Sequence, residues 1–213
     1  MKKGIGLLSV MLIVLADRSC LPASIIYPLE IFTSNGDYHD GSGLNLYVEL
    51  TGRAATVDFG FHNDSLVDSS IARIYVEDTF LLGDGTIIEG PGTSFTEQAT
   101  PANIPGGQML IPPVKRTSTF SIAAAPQPAH AGINPGEFVK VTFDLSNNAT
   151  FADVAGALNG GDFRIGVHII ALPDGSSESA VNIPEPATLL LIGFGAVMVR
   201  RSRKRIGRIA GRG

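Results

Sequence analysis

The stretch Asn35-Gly36-Asp37-Tyr38-His39-Asp40-Gly41 puts three oxygen-bearing side chains within six residues, and hard Ca²⁺ takes such donors. It does not make an EF-hand loop. Counted from Asn35, position 5 is His39, position 6 is Asp40 where glycine is required, and position 12 is Leu46. A calcium site of another kind, using Asp37 and Asp40, fits the pattern. So does a turn whose side chains make Asx-type hydrogen bonds. The pairs Asp64/Asp68 and Glu77/Asp78 stand under the same two readings.

Other chemistry finds little support. There is no G-x-S-x-G elbow, H-E-x-x-H helix, P-loop or dinucleotide-binding glycine pattern. The four histidines, His39, His62, His130 and His168, are far apart, and His62 and His168 fall at polar positions of alternating segments. A glycosidase needs two carboxylates across a cleft, and nothing singles out a pair. Tyr27, Tyr38, Tyr47 and Tyr75 could contact sugar, but the chain has no Trp. Cys20 is the one cysteine, so neither a disulfide within the chain nor a cysteine-built metal site is available.

The elements that would position such residues read as strands. Residues 44–50 alternate loosely, and 57–62 clearly, with Val57, Phe59 and Phe61 on one face. Residues 71–78 and 79–82 follow, then a turn at Gly83-Asp84-Gly85-Thr86. Residues 138–145 put Phe138, Lys140, Thr142 and Asp144 on one face and Val139, Val141, Phe143 and Leu145 on the other. Residues 163–172 are long enough for a central strand. Residues 94–113 and 123–136 are rich in Pro, Gly, Gln and Ala and read as surface loops, and 151–158 has helical spacing. The expected fold is all-β, an antiparallel β-sandwich or jelly roll over 24–173. A linker over 174–182 follows it.

Both ends read as addresses. Met1-Lys2-Lys3 precedes thirteen uncharged residues, 4–16. As a helix these would span roughly 20 Å, short of the ~30 Å bilayer core, so residues 1–23 read as a signal peptide. Cleavage after Ala16 or after Ala23 both fit. At the other end come Pro184-Glu185-Pro186, an apolar stretch over 189–199, and the basic cluster Arg200, Arg201, Arg203, Lys204 and Arg205. Two prolines flanking Glu185 fix φ and remove backbone donors, so the motif is extended and helix begins only after it. A single transmembrane helix would follow, with the cluster held on the cytoplasmic side.

This order of elements over 183–213 resembles the PEP-CTERM sorting signal of Gram-negative bacteria, with the family motif falling on Pro184, Glu185 and Pro186. The tail departs from many members by running on to Gly213. The resemblance implies processing by exosortase, a membrane-embedded cysteine transpeptidase-like enzyme, and an association with exopolysaccharide and biofilm matrix. The chain is then expected to be that enzyme's substrate and not itself an enzyme. It would engage the secretion machinery and the inner membrane transiently, and end at the cell surface or in the matrix. A carbohydrate- or calcium-binding surface module is the alternative, with a glycoside hydrolase behind it.

Charge agrees with export. The first 23 residues hold three cations against Asp17, and the last 30 hold seven against Glu185, leaving six cations against 18 anions in the 160 residues between. So acidic a body is a poor partner for nucleic acid, whose phosphates require clustered cations.

Overall fold

The computed structural model describes residues 24–77, 80–110, 120–162 and 164–184. The expected signal peptide, Glu185, Pro186, the apolar stretch and the basic cluster lie outside them. Among the described residues, no helix is long and apolar enough to cross a membrane.

Among the described residues ten strands and two short α-helices follow in order: β1 (Ser24–Ile31), β2 (Leu46–Gly52), β3 (Thr56–Asn63), β4 (Ser70–Glu77), β5 (Leu82–Glu89), β6 (Phe95–Glu97), β7 (Phe120–Ala124), α1 (Pro128–Ala131), β8 (Glu137–Leu145), α2 (Phe151–Gly160), β9 (Arg164–Ile170) and β10 (Glu178–Asn182). All pairings are antiparallel, in the order β5-β8-β3-β2-β1-β10-β9-β4-β7-β6. The body is therefore all-β, as expected.

Its two layers are one run of strands, bent at β1. Ser24 to Pro28 pair with β2, and Leu29 to Ile31 pair with β10. The change of partner falls beside Pro28, which has no N–H to give to a ladder. Inward residues of both layers fill one core: Val48, Leu50, Val57, Phe59, Phe61, Val139, Val141 and Phe143 from one, Ile74, Val76, Ile122, Ile165, Val167 and Ile169 from the other. The two ends of the run approach each other, since Phe120 of β7 meets Phe143 of β8 edge-on at 4.9 Å. The sheet is thus nearly closed.

Two expected elements differ. The turn expected at Gly83–Thr86 lies inside β5, where the register with β8 shifts between Leu82 and Gly85. A Cβ on Gly85 would stand 2.7 Å from both Phe120 and Phe143, so this glycine admits two rings to the core and does not make a hairpin. The linker expected over 174–182 is in large part β10. All five of its residues are buried between β1 and β9, so the folded body runs to Asn182. Its serine and glutamate suggested solvent because their partners, far away in sequence, are invisible there.

The loop expected over 94–113 carries β6 and a 3₁₀ turn at Gly107–Met109. Part of it covers the outer face of β4 and β9. Ala99 and Ile104 form a second small core there with Tyr75, flanked by Phe32 and Ala123. The helix expected over 151–158 runs two residues further. Thr150 caps it, accepting the Asp153 N–H, while the Asp153 carboxylate accepts the Thr150 N–H at 2.8 Å.

Candidate functional site

The C-terminal exit is built from β10 and α2. Asn182 ends the strand, and its Oδ1 accepts the Ile165 N–H of β9 at 2.6 Å. Ile183 is half-exposed. Pro184, first residue of the proline-glutamate-proline triplet, then rests on Gly161 beyond the end of α2. Gly161 has φ 77°, the left-handed region that closes helices. A Cβ on it would lie 2.8 Å from Pro184 Cγ. At its start β10 is pinned by Glu178, which is fully buried. Its carboxylate accepts the N–H groups of Asn35 at 2.8 Å and Gly36 at 2.9 Å, and the Thr33 hydroxyl.

Against this geometry, residues 182–205 match the PEP-CTERM protein-sorting motif. The chain carries a PEP-CTERM sorting motif. Its matched region begins on Asn182, the last residue of β10. A PEP-CTERM motif implies an exported protein, anchored in the membrane before an exosortase-type enzyme processes it. No curated protein and no solved structure gives a significant match to the chain. Of the motif's own residues Pro184 is described, while Glu185, Pro186 and the cluster Arg200, Arg201, Arg203, Lys204 and Arg205 lie outside the described residues.

The acidic turn is arranged by hydrogen bonds of its own. The Asp37 N–H donates to Asp174 Oδ2 at 2.8 Å, and Asp40 Oδ1 accepts the Ser42 N–H at 2.9 Å. The Ser42 hydroxyl and N–H hold the exposed Asp40 carboxyl below its usual range. Asp174 is lowered in the same way, chiefly by the hydroxyl and N–H of Ser176. Among the described residues no three His, Cys, Asp or Glu side chains gather as metal ligands. Asp40 here acts as an Asx-turn residue.

A site that the sequence did not single out lies on the outer face of β2, β3 and β8. Tyr47, His62 and Phe138 are successive cross-strand partners. Their rings stack, Tyr47 on His62 at 4.8 Å and His62 on Phe138 at 5.8 Å. The next row is Glu49, Gly60 and Lys140, and the one after is Thr51, Asp58 and Thr142. Gly60 leaves a gap one side chain deep, forming part of a cavity of about 280 Å³. His62 Nε2 leans over it, 3.0 Å from where a Gly60 Cβ would stand.

Charges around the gap alternate. Asp58 Oδ2 takes Arg53 at 3.0 Å and Lys140 at 3.5 Å, and Asp58 Oδ1 accepts the Thr142 hydroxyl at 2.7 Å. Burial pushes the Asp58 carboxyl up, but these hydrogen bonds and the two cations outweigh it, and the net shift is downward. Glu49 Oε1 accepts the Ser24 hydroxyl, and its Oε2 stands 3.8 Å from His62 Nε2. Period-2 alternation already put 138, 140 and 142 on one face. That they meet 58, 60 and 62 is a matter of register between strands some eighty residues apart, which no local pattern carries.

A larger cavity, about 530 Å³, lies between β5 and β7 against Phe120 and Phe143. It adjoins Val76, Leu82 and Phe120, which flank the undescribed stretches 78–79 and 111–119, whereas the outer-face gap has described strands on every side.

The other expected residues are part of the packing. His168 is buried, with Nδ1 3.3 Å from Ser179 Oγ. Tyr27 and Tyr75 are buried as well, and Tyr47 stacks on His62 at one end of the row on β2, β3 and β8. The two buried rings present no open face for sugar, whereas Tyr47 is half-buried.

Proposed function

We propose that this protein is an exported, non-enzymatic component of the cell surface or extracellular matrix. The secretion machinery delivers it, the inner membrane holds it transiently, and an exosortase-like enzyme acts near Pro184-Glu185-Pro186. The observation that carries this reading is the PEP-CTERM match over 182–205, placed directly on the last strand of a folded acidic body. The mass of the mature protein in envelope and medium tests it. Loss of the residues after the motif is expected. Glu185→Ala should leave the body folded and the C-terminus intact, and normal processing of that variant would overturn the reading.

A second reading concerns what the body does once delivered. The gap at Gly60 supports contact with a polysaccharide. Two carboxylates (Glu49 and Asp58) oppose two cations (Arg53 and Lys140), so the lining favours a neutral polyhydroxylated ligand over an ion. Phe138, 39% exposed, adds an apolar edge. Catalysis is less well supported: Asp58 shares the gap with Glu49, but three partners keep it ionised, which unfits it as a general acid. Retention on a neutral-polysaccharide affinity gel, lost when Gly60→Leu fills the gap, is the expected result. Equal retention of that variant would move the ligand elsewhere.

A further inference from the structure

The two outer faces of the body differ in what covers them. That of β4 and β9 lies under the 98–110 segment, which sets Ala99 and Ile104 on Tyr75. The outer face of β1, β2, β3, β8 and β5 leaves apolar side chains open to solvent, Ile26 at 62%, Ile88 at 42% and Phe138 at 39%. We propose that a second copy of this chain packs face to face on this surface, related by a two-fold axis that runs along β3.

The ground is the pattern of side chains on either side of β3. Rows of cross-strand partners run across the face, each with its middle residue on β3. In one row Gly60 has Glu49 on its β2 side and Lys140 on its β8 side. In another, Thr56 has Asp144 on its β8 side, and on the other side Arg53, just past β2, whose N–H donates to the Thr56 carbonyl. An axis along β3 exchanges the two sides. It therefore sets Glu49 against Lys140 of the second copy and Arg53 against Asp144, each contact occurring twice. The uncharged positions match in the same way. Tyr47 meets Phe138 about His62, and Thr51 meets Thr142 about Asp58. On the flanking strands Ile26, partner of Glu49, meets Ile88, partner of Lys140.

Charge also selects this axis over the other that a face-to-face pair could use. An axis across the strands through Gly60 would bring Glu49 onto Glu49 and Lys140 onto Lys140, and such like-charge contacts are strongly disfavoured. Along β3, only residues of β3 meet their own copies. Asp58 is the one carboxylate among them, and Arg53 and Lys140 of its own chain already neutralise it. Gly60 faces Gly60, so the two gaps join into one polar space that water can fill.

Five strands about 4.8 Å apart, with their side-chain margins, make a patch of roughly 500 Å² on each copy, below the ~800 Å² of a standard interface. The pair is therefore weak, with a dissociation constant of about 10–100 μM. It does not rest on the sorting reading. It does cover the Gly60 gap, so a second copy and a polysaccharide are alternative occupants of one face.

Sedimentation equilibrium of the full-length protein in density-matched detergent micelles tests the pairing, over about 1 μM to about 1 mM protein. Glu49→Lys alone and Lys140→Glu alone should each weaken dimerisation by roughly 10- to 100-fold, because like charges then meet at two contacts per dimer. An equimolar mixture of the two variants should recover wild-type affinity, since in the mixed pair each new Lys meets a new Glu and each native Lys a native Glu. Ile26→Asp removes no ion pair within the chain and should weaken the dimer as well, which keeps the test open if a charge variant does not fold. A chain that stays monomeric throughout would overturn the inference and leave this face to the polysaccharide. Association unchanged by the Glu49 and Ile26 variants would overturn it too, and would place the contact elsewhere, the membrane segment included. Weakened single variants whose mixture does not recover would overturn the axis along β3.

Discussion

His168 of β9 and Ser179 of β10 are direct cross-strand partners, and His168 Nδ1 lies 3.3 Å from Ser179 Oγ. The imidazole is buried, and burial together with the Arg73 charge on β4 pushes its pKa below the ordinary 6.5, against an opposing pull from Glu178. For a histidine lowered on folding, the unfolded chain takes up the proton first. The stability it confers is complete above about pH 6.5 and is lost as pH falls from there toward the folded value. Thermal unfolding should therefore show a falling midpoint between pH 7 and 5, and His168→Gln should flatten that part of the profile.

Asp58 acts in a separate window. Its net lowering below 3.8 means that its contribution is present above that pH and lost as pH falls through the folded value. Asp58→Asn removes the charge that Lys140, Arg53 and Thr142 share. Arg53 is 59% exposed, so screening reduces its share of the loss. The expected destabilisation at pH 7 is about 2 kcal/mol, shrinking toward pH 2, as urea unfolding at the two pH values would show.

The core has one ring on which two others converge. Phe143 meets Phe59 at 5.1 Å and Phe120 at 4.9 Å, each at an interplanar angle of 81°, and it is 1% exposed. Phe143→Ala should destabilise the body by about 3–5 kcal/mol, a large part of the ~5–15 kcal/mol typical of a domain. Denaturant unfolding would measure it, and a loss under 1 kcal/mol would mean that the two layers do not meet at this ring.

Tyr75 reports on the segment that covers β4. Burial raises its pKa to about 12, and its hydroxyl donates to the Pro101 carbonyl at 3.1 Å. A phenol raised on folding gives stability that is complete below about pH 10 and is lost as pH rises through its folded value. Absorbance titration should show a tyrosine ionising near pH 12, and Tyr75→Phe should remove that step while costing about 1 kcal/mol. Absence of that late step would mean that the 98–110 segment does not cover this face.

Much of the body was legible locally. The alternation of Val57, Phe59 and Phe61, and of Val139, Val141 and Phe143, follows from a period of two with one buried face, and those residues are the core. Helical spacing over 151–158 was legible too, while the cap of Thr150 and Asp153 and the closing Gly161 came from the structure. What misled was composition without partners. Gly83 and Gly85 look like a turn until two rings are seen to need the space. Glu178, Ser179 and Asn182 look like a solvated linker until Asn35 and Gly36, Phe32 and Ile165 respectively are seen to donate to them.

The sequence by itself determined that the chain carries a sorting motif and what class of fold its body adopts, because a sorting motif is read as a linear string and strand periodicity is a property of neighbours along the chain. Only the tertiary structure decided that residues 178–182 form a buried strand reaching the motif, and that Gly60 opens a charged, ring-edged gap on one face. Both depend on which strands lie side by side. Register and strand order are set by burying the two inner faces together, a balance over contacts between residues far apart in sequence.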